Sequence, residues 1–267
     1  MGISRLLEKA PLVGVFFMSA IWLSCAQAFC PAPDSLPVAQ VQHVVDGDTL
    51  RLTDGRSVRM IGLNTPETGK KGQSAEPLAE AARRRLRALV DDSGGKVRLR
   101  VGQQSKDHYG RTLANVYGRD GANLEAQLLS EGLGYLVAVA PNVALVDCQQ
   151  SAERQARQAR LGLWRNSPVQ ASDSIAKSGF AVVSGQVKSV QRNRGGVWIE
   201  LPGSLVLRIA PDNVSGFDMA ALERLKGKKI EARGWVVDRA RRGGLKSGQS
   251  RWLLPLTHSA MLSTSAF

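Results

Sequence analysis

Two aspartates stand two residues apart in Val45-Asp46-Gly47-Asp48-Thr49. Read as one strand over Val41–Thr53, residues two apart share a face, so Asp46 and Asp48 point the same way. Side-by-side carboxylates repel each other unless a cation lies between them, and hard oxygen ligands suit calcium or magnesium. Asp54-Gly55 reads as a two-residue hairpin turn. That turn sets Thr53 against Arg56 and Leu50 against Arg59, which puts Arg59 on the Asp48 face one diagonal step away, about 7–8 Å. A guanidinium at that distance, close but not touching, can hold the far oxygen of a shared phosphate.

The returning strand, Ser57–Leu63, runs into Asn64-Thr65-Pro66-Glu67. Pro66 has no N–H to donate and ends the ladder. Asn64 and the Thr65 carbonyl can add oxygens to the metal, and the Glu67 carboxylate can take a proton from water. Asp107-His108-Tyr109-Gly110-Arg111-Thr112 offers a second guanidinium, Arg111, at the start of a later strand. Zinc is not indicated, because the chain has no Cys-x-x-Cys and its 3 histidines are scattered.

The elements that must position these groups follow from the pattern. Beyond the hairpin, Glu76–Val90 reads as a helix with Leu and Ala on one face and Arg83, Arg84, Arg85 and Arg87 around it. Lys96–Val101 and Thr112–Tyr117 read as strands, Leu124–Ser130 as a short helix and Val146–Arg160 as a polar helix. Strands first, with helices laid over them, predict a small barrel with helices outside. Arg165–Ser178 has little periodicity and is expected to hold a linker, residues 167–178. Residues 179–262 then form a second unit. Five strands are expected there at Val182–Val190, Gly196–Leu201, Leu205–Ile209, Lys229–Val237 and Trp252–Leu256, with a helix at Met219–Leu225. That order resembles an OB-type barrel.

A chain of 267 residues has room for two domains, and 43% hydrophobic residues exclude wholesale disorder. The 36 basic against 23 acidic residues, a net +13, draw it to polyanions, of which nucleic acid and anionic membrane are the usual ones. Residues 178–267 hold 14 basic and 6 acidic residues, a net +8, with Arg239, Arg241, Arg242 and Lys246 crowded in one Gly-rich loop. Nucleic-acid docking or a solvated hairpin tip would both account for that loop.

Arg5 and Lys9, the apolar run from Leu12 to Leu23 and Ala26-Gln27-Ala28 read as a cleavable signal peptide over residues 1–28. The run falls short of the roughly 20 residues of a spanning helix, so no stable membrane anchor is expected after cleavage. The expected location is periplasm or medium. Trp22-Leu23-Ser24 before Cys25 is a poor lipobox, which leaves lipid anchoring as the minor alternative. Cys30 and Cys148 then remain, and an even pair in an exported protein predicts a disulfide from the N-terminal segment to the helix near 148–160; two free thiols are the alternative.

Several segments together resemble the staphylococcal nuclease (thermonuclease, micrococcal nuclease-like) family. They are Asp-Gly-Asp-Thr at 46–49, Arg-Met-Ile-Gly-Leu-Asn-Thr-Pro-Glu at 59–67 and Asp-His-Tyr-Gly-Arg-Thr-Leu-Ala-Asn-Val-Tyr at 107–117, followed by Glu-Gly-Leu-Gly-Tyr at 131–135, the Ala140-Pro141-Asn142 turn and Gly-Leu-Trp at 162–164. The order is the family's, and the matches cover nearly all of residues 38–166. The resemblance implies a mainly β, α+β fold: a five-stranded OB-type barrel with helices, here followed by a second small OB-like barrel. It implies a calcium-dependent phosphodiesterase acting on DNA and/or RNA, expected as a monomer. It makes Asp48, Asn64 and the Thr65 carbonyl ligands of one Ca2+ and has Asp46 act through water. Glu67 becomes the general base, and Arg59 and Arg111 the phosphate clamps. Tyr109 and His108 are placed beside the substrate.

The chain also departs from that pattern. Asn64 stands where the best-known members have aspartate, which removes one negative charge from the metal site and weakens the expected calcium affinity. His108 replaces a lysine; a phosphate contact when charged and a plain exposed loop histidine are both open to it. Val137 and Val139 replace tyrosines that would face the substrate, so base stacking there is expected to be poorer, with Tyr135 in the core. The loop Thr68–Ser74 is short and carries Lys70 and Lys71. The competing functional readings are a nucleic-acid-binding module with a degenerate metal site, favoured by Asn64, and an envelope protein that binds lipid or polysaccharide through residues 179–267.

Overall fold

In the computed structural model, residues 30–69, 72, 74–242, 245 and 248–264 are described. The signal segment 1–28, Lys70, Lys71 and Lys246 lie outside them.

The first unit is built from β1 (Val38–Val44), β2 (Thr49–Leu52), β3 (Ser57–Met60), β4 (Leu63–Asn64), α1 (Ala79–Asp92), β5 (Lys96–Lys106), β6 (Thr112–Tyr117), α2 (Leu124–Ser130), β7 (Tyr135–Leu136) and α3 (Val146–Gln158). Five strands close into a barrel in the order β1-β2-β3-β6-β5, with β3 and β6 parallel. Leu50, Leu52, Val58, Met60, Leu99 and Val116 fill it. Each of the larger ones contributes about 1.5–3 kcal/mol by leaving water. The helix α1 buries Ala82, Leu86, Leu89 and Val90. The disulfide Cys30–Cys148 joins the N-terminal segment to α3, with Cα atoms 5.6 Å apart.

Three local expectations are corrected. Val41–Thr53 is not one strand but a hairpin, broken at Val45–Asp48 and closed by Val45 N donating to Thr49 O at 2.9 Å. The turn after β2 has three residues, Thr53–Gly55: Leu52 N donates to Arg56 O at 2.9 Å, and Gly55 sits at φ 87°. A left-handed third residue favours glycine over Asp54-Gly55 closing a tighter turn. The register is therefore Thr49↔Arg59, one residue from the expected one. Finally, α1 begins at Ala79 rather than Glu76, because Glu76 closes a loop back to Glu67.

The second unit comprises β8 (Val169–Ala171), β9 (Gly179–Gln186), β10 (Ser189–Asn193), β11 (Gly196–Leu201), β12 (Leu205–Ile209), α4 (Met219–Glu223), β13 (Lys229–Asp238), β14 (Trp252–Leu256) and β15 (Leu262–Ser263). The sheet order is β10-β11-β12-β14-β13-β9-β8, with β15 beside β13. The strand expected at Val182–Val190 is split at Val187-Lys188 into β9 and β10. These two halves pair with opposite parts of the sheet, β9 with β13 and β10 with β11, so the sheet curls round on one continuous stretch of chain. The part of 167–178 expected as linker belongs to this sheet: Val169–Ala171 runs parallel to β9, and Ser172 and Ile175 are buried.

The two units share a strand order. In each, the first strand pairs with the second and the fourth, the third runs parallel to the fifth, and a helix links the third to the fourth. They are also docked. Val137, Ala138 and Val146 belong to the apolar core of the second unit. Thr257 Oγ1 donates to Ala138 O at 2.8 Å. A buried ionic chain runs across the junction: Arg233 to Glu153 at 2.6 Å, Arg233 to Glu231 at 3.1 Å, and Arg157 to both Glu231 oxygens at 2.8 and 2.7 Å.

Candidate active site

The bend between β1 and β2 carries Asp46-Gly47-Asp48 onto the barrel rim against α1. A Cβ on Gly47 would lie 2.7 Å from Ala82 Cβ and from Thr65 Oγ1, so only glycine lets the bend pack this closely. Asp48 N donates to Asp46 Oδ1 at 3.1 Å. The two carboxylates are thus neighbours because the chain bends, not because they alternate along a strand. Both are buried. Burial, and then the charge of Asp48, push the Asp46 carboxyl up to about 6.

Asp48 is the hub. Its Oδ1 takes Arg59 Nη1 at 2.8 Å and Thr49 Oγ1 at 3.1 Å. Its Oδ2 takes Thr65 N at 2.8 Å and Thr65 Oγ1 at 3.1 Å. Arg59 reaches further, from Nη1 to Leu63 O at 2.9 Å and from Nη2 to Asn64 Oδ1 at 3.2 Å. The expected gap of about 7–8 Å between Arg59 and the Asp48 side chain is therefore corrected to direct contact. Asp48 sits in the bend rather than on the strand, so alternation does not govern where it points.

Arg111 immediately precedes the neighbouring strand β6, whose Leu113 is paired with Arg59 in the parallel β3–β6 ladder. Its Nε donates to Asp107 Oδ2 at 2.7 Å, and Asp107 Oδ1 takes Arg111 N and Tyr109 N, each at 2.9 Å. Burial pushes the Asp107 carboxyl up, but these donors outweigh it and hold the group below the usual carboxylate range. Tyr109 is exposed under the Arg111 guanidinium, 5.4 Å from its ring centre, with the His108 ring 3.7 Å away.

Glu67 follows two residues after Thr65 and is exposed. Its backbone is fixed by a reciprocal pair: Glu67 N donates to Glu76 Oε2 and Glu76 N to Glu67 O, both at 2.9 Å. The structure thus joins Asp46, Asp48, Arg59, Asn64 and Thr65 through direct contacts, sets Arg111 just before the adjoining strand β6, and leaves Glu67 exposed two residues beyond Thr65. His108 and Tyr109 form the tip of the β5–β6 loop. Val139 is exposed, but Val137 is buried against the second unit and offers no face to a ligand. Tyr135 is half-buried between Trp164 and Phe180.

The donor set suits a hard divalent cation: two carboxylates whose mutual repulsion a cation would relieve, an amide oxygen and a backbone carbonyl. Among the described residues no three His, Cys, Asp or Glu side chains cluster, so neutral oxygens must complete any such shell.

Comparison with known proteins bears on the same residues. Residues 57–166 match the family model for the staphylococcal nuclease homologue, a stretch holding Arg59, Asn64, Thr65, Glu67 and Arg111, with Asp46 and Asp48 just before it. The thermonuclease of Staphylococcus hyicus is 37% identical over 132 residues, 48% of this chain and 75% of that protein. The chain belongs to the staphylococcal nuclease family. Another similar member is the thermonuclease of Staphylococcus intermedius, 34% identical over 127 residues, 46% of this chain and 74% of that protein. The SPbeta prophage-derived endonuclease YokF of Bacillus subtilis (strain 168) is 36% identical over 129 residues, 46% of this chain, and this chain spans only 43% of its length.

Sequence reasoning missed Thr49, Asp107 and Glu76. The first two are legible as polar residues inside the quoted motifs. Glu76, across a loop from Glu67, left no local signal.

Proposed function

We propose that this staphylococcal nuclease relative is an exported, calcium-dependent phosphodiesterase that hydrolyses DNA and/or RNA. One observation carries the reading: Arg59 is held on Asp48 and Asn64 beside Thr65, and Arg111 immediately precedes the parallel strand next to it. That arrangement supports one site where cation ligands and guanidinium donors would meet a single phosphate.

Asp48, Asn64 and the Thr65 carbonyl would hold the calcium ion, with Asp46 acting through water. When bound, calcium would supply a positive centre that neutralises a phosphoryl oxygen. Glu67 takes a proton from the attacking water. The water oxygen bonds to phosphorus, the bond from phosphorus to the 5′-oxygen breaks, and that oxygen takes a proton from solvent. Arg59 and Arg111 donate to the phosphoryl oxygens as their charge grows. Arg59 Nη2, bonded to a neutral amide oxygen, is the terminal nitrogen more easily redirected to phosphate, while Nη1 stays on the Asp48 carboxylate.

Export, to periplasm or medium, is supported by the basic start and apolar run of residues 1–28 and by the Cys30–Cys148 bridge, since disulfides persist in oxidising compartments. Among the described residues, no helix is long and apolar enough to cross a membrane.

Incubation of denatured DNA, and separately RNA, with calcium and then with chelator tests the proposal. Cleavage that needs the ion supports it. Binding without cleavage under any divalent ion favours instead the non-catalytic module that Asn64 suggests.

A further inference from the structure

We propose that the outer face of the β11–β12 pair is a second nucleic-acid site, which takes a single strand by stacking a base on Trp198 and gripping its phosphates with Arg208, Arg239 and Arg194. The proposal deepens the preceding one by assigning a ligand to the second unit, and it is tested without cleavage.

Trp198 on β11 is paired in register with Arg208 on β12. Inward residues Val197, Ile199, Leu207 and Ile209 are buried, so Trp198 and Arg208 stand on the outer face. The guanidinium of Arg208 lies over the indole, 5.2 Å from its centre, and that of Arg239 lies over it at 5.9 Å. The ring is seated by its own hydrogen bond, Nε1 to Asn193 Oδ1 at 3.0 Å, and the same oxygen takes Gly195 N at 2.8 Å. Arg208 Nε donates to Gly195 O at 3.1 Å, so the turn carrying exposed Arg194 is fixed beside the ring. The acidic residue on this face, Glu200, takes the Ser189 hydroxyl at 2.9 Å.

The shared strand order points to the same face. Arg208 occupies the third strand of its unit, as Arg59 does in the first, and the loop before the fifth strand adds a guanidinium group in each: Arg111 there, Arg239 here. OB-type barrels take oligonucleotides on the face of strands two and three and the loops beside it. A base that takes the place of one of these guanidinium groups on the indole would free that group to grip the neighbouring phosphate of a flexible strand. The unit's net +8 gives the charge complement. A half-buried ring seated on a sheet cannot enter acyl chains as a protruding side chain would, so the geometry favours a nucleic-acid strand over a lipid surface.

The test uses the full chain in EDTA and a 5′-fluorescein oligothymidylate of twenty nucleotides, read by anisotropy. Trp198→Ala is expected to weaken binding about 5- to 100-fold, and Trp198→Phe to restore most of it. Arg208→Gln is expected to weaken binding and lower the salt slope by about one. All three variants are expected to keep the wild-type rate on a single-nucleotide 4-nitrophenyl phosphodiester, which is too short to reach the second unit. Should the wild type fail on that substrate with calcium while the binding differences hold, the catalytic proposal falls and this one stands. Unchanged oligonucleotide affinity in Trp198→Ala and Arg208→Gln would overturn it, as would Trp198-dependent binding to phosphatidylglycerol vesicles without Trp198-dependent binding to the oligonucleotide.

Discussion

Arg59 Nη1 lies 2.8 Å from Asp48 Oδ1, at a rim where both side chains are largely shielded from solvent. The pair ties the bend before β2 to β3, and the fork of Arg59 continues to Leu63 O and Asn64 Oδ1. One residue thus ties Asp48 to Leu63 and Asn64, and in the proposed function it also donates to the phosphate. Arg59→Lys keeps the charge but loses the fork. The expected outcome is a fall in kcat of about 10²–10³-fold, measured by steady-state cleavage of denatured DNA. A change of less than about threefold would remove Arg59 from the phosphate contact.

Asn64 offers a neutral oxygen where a carboxylate would bring charge. Asn64→Asp is expected to lower the calcium concentration for half-maximal cleavage several-fold, because each added carboxylate strengthens a hard-cation site. The new charge would also meet Arg59, which now contacts Asn64 Oδ1 at 3.2 Å. A calcium titration with no shift would show that residue 64 is not a ligand.

Glu125 is fully buried, and its oxygens take Val116 N at 2.9 Å and Asn123 Nδ2 at 2.6 Å. Burial outweighs these donors and pushes its carboxyl from 4.5 up to about 8. The folded state therefore holds a proton that the unfolded chain has released. The resulting stability is fully present below about 4.5 and is lost as pH rises towards about 8, at up to about 1.4 kcal/mol per pH unit. Urea unfolding from pH 5 to 8 measures this slope, and Glu125→Gln is expected to flatten it. An equal slope in the variant would place the titration elsewhere.

Arg233 is buried at the junction of the units, bonded to Glu153 and Glu231. Glu153 Oε1 also takes Leu136 N at 2.8 Å. Arg233→Ala leaves buried Glu153 without a counter-ion, while Glu231 keeps Arg157, and is expected to cost roughly 3–5 kcal/mol of folding free energy. Denaturant unfolding checks this; a loss below about 1 kcal/mol would show that the junction readily admits water.

Much of this arrangement was legible in the sequence because local chemistry enforces it. The turn at Asp54-Gly55, proline at 66 and the apolar alternation of β3 mark the returning hairpin and its end directly. The hairpin register was not legible, since a three-residue turn closed by left-handed Gly55 and a two-residue Asp54-Gly55 turn share the same residues and differ by one step. Nor was the split of β9 from β10 at Val187-Lys188, which depends on both halves finding partners far along the chain. The burial of Val137 had no signal in its own segment, because its cover comes from residues such as Met261, more than a hundred positions away. Long-range pairing, unlike turn chemistry, leaves its trace in the partner.

The most direct measurement concerns Glu67. Cleavage of denatured DNA with calcium is compared between the wild type and Glu67→Gln, with affinity for the same DNA measured in chelator. Turnover is expected to fall about 10²–10⁴-fold while affinity stays within about twofold. Turnover equal to wild type would contradict the account, because no proton acceptor would then stand at the mouth of the site.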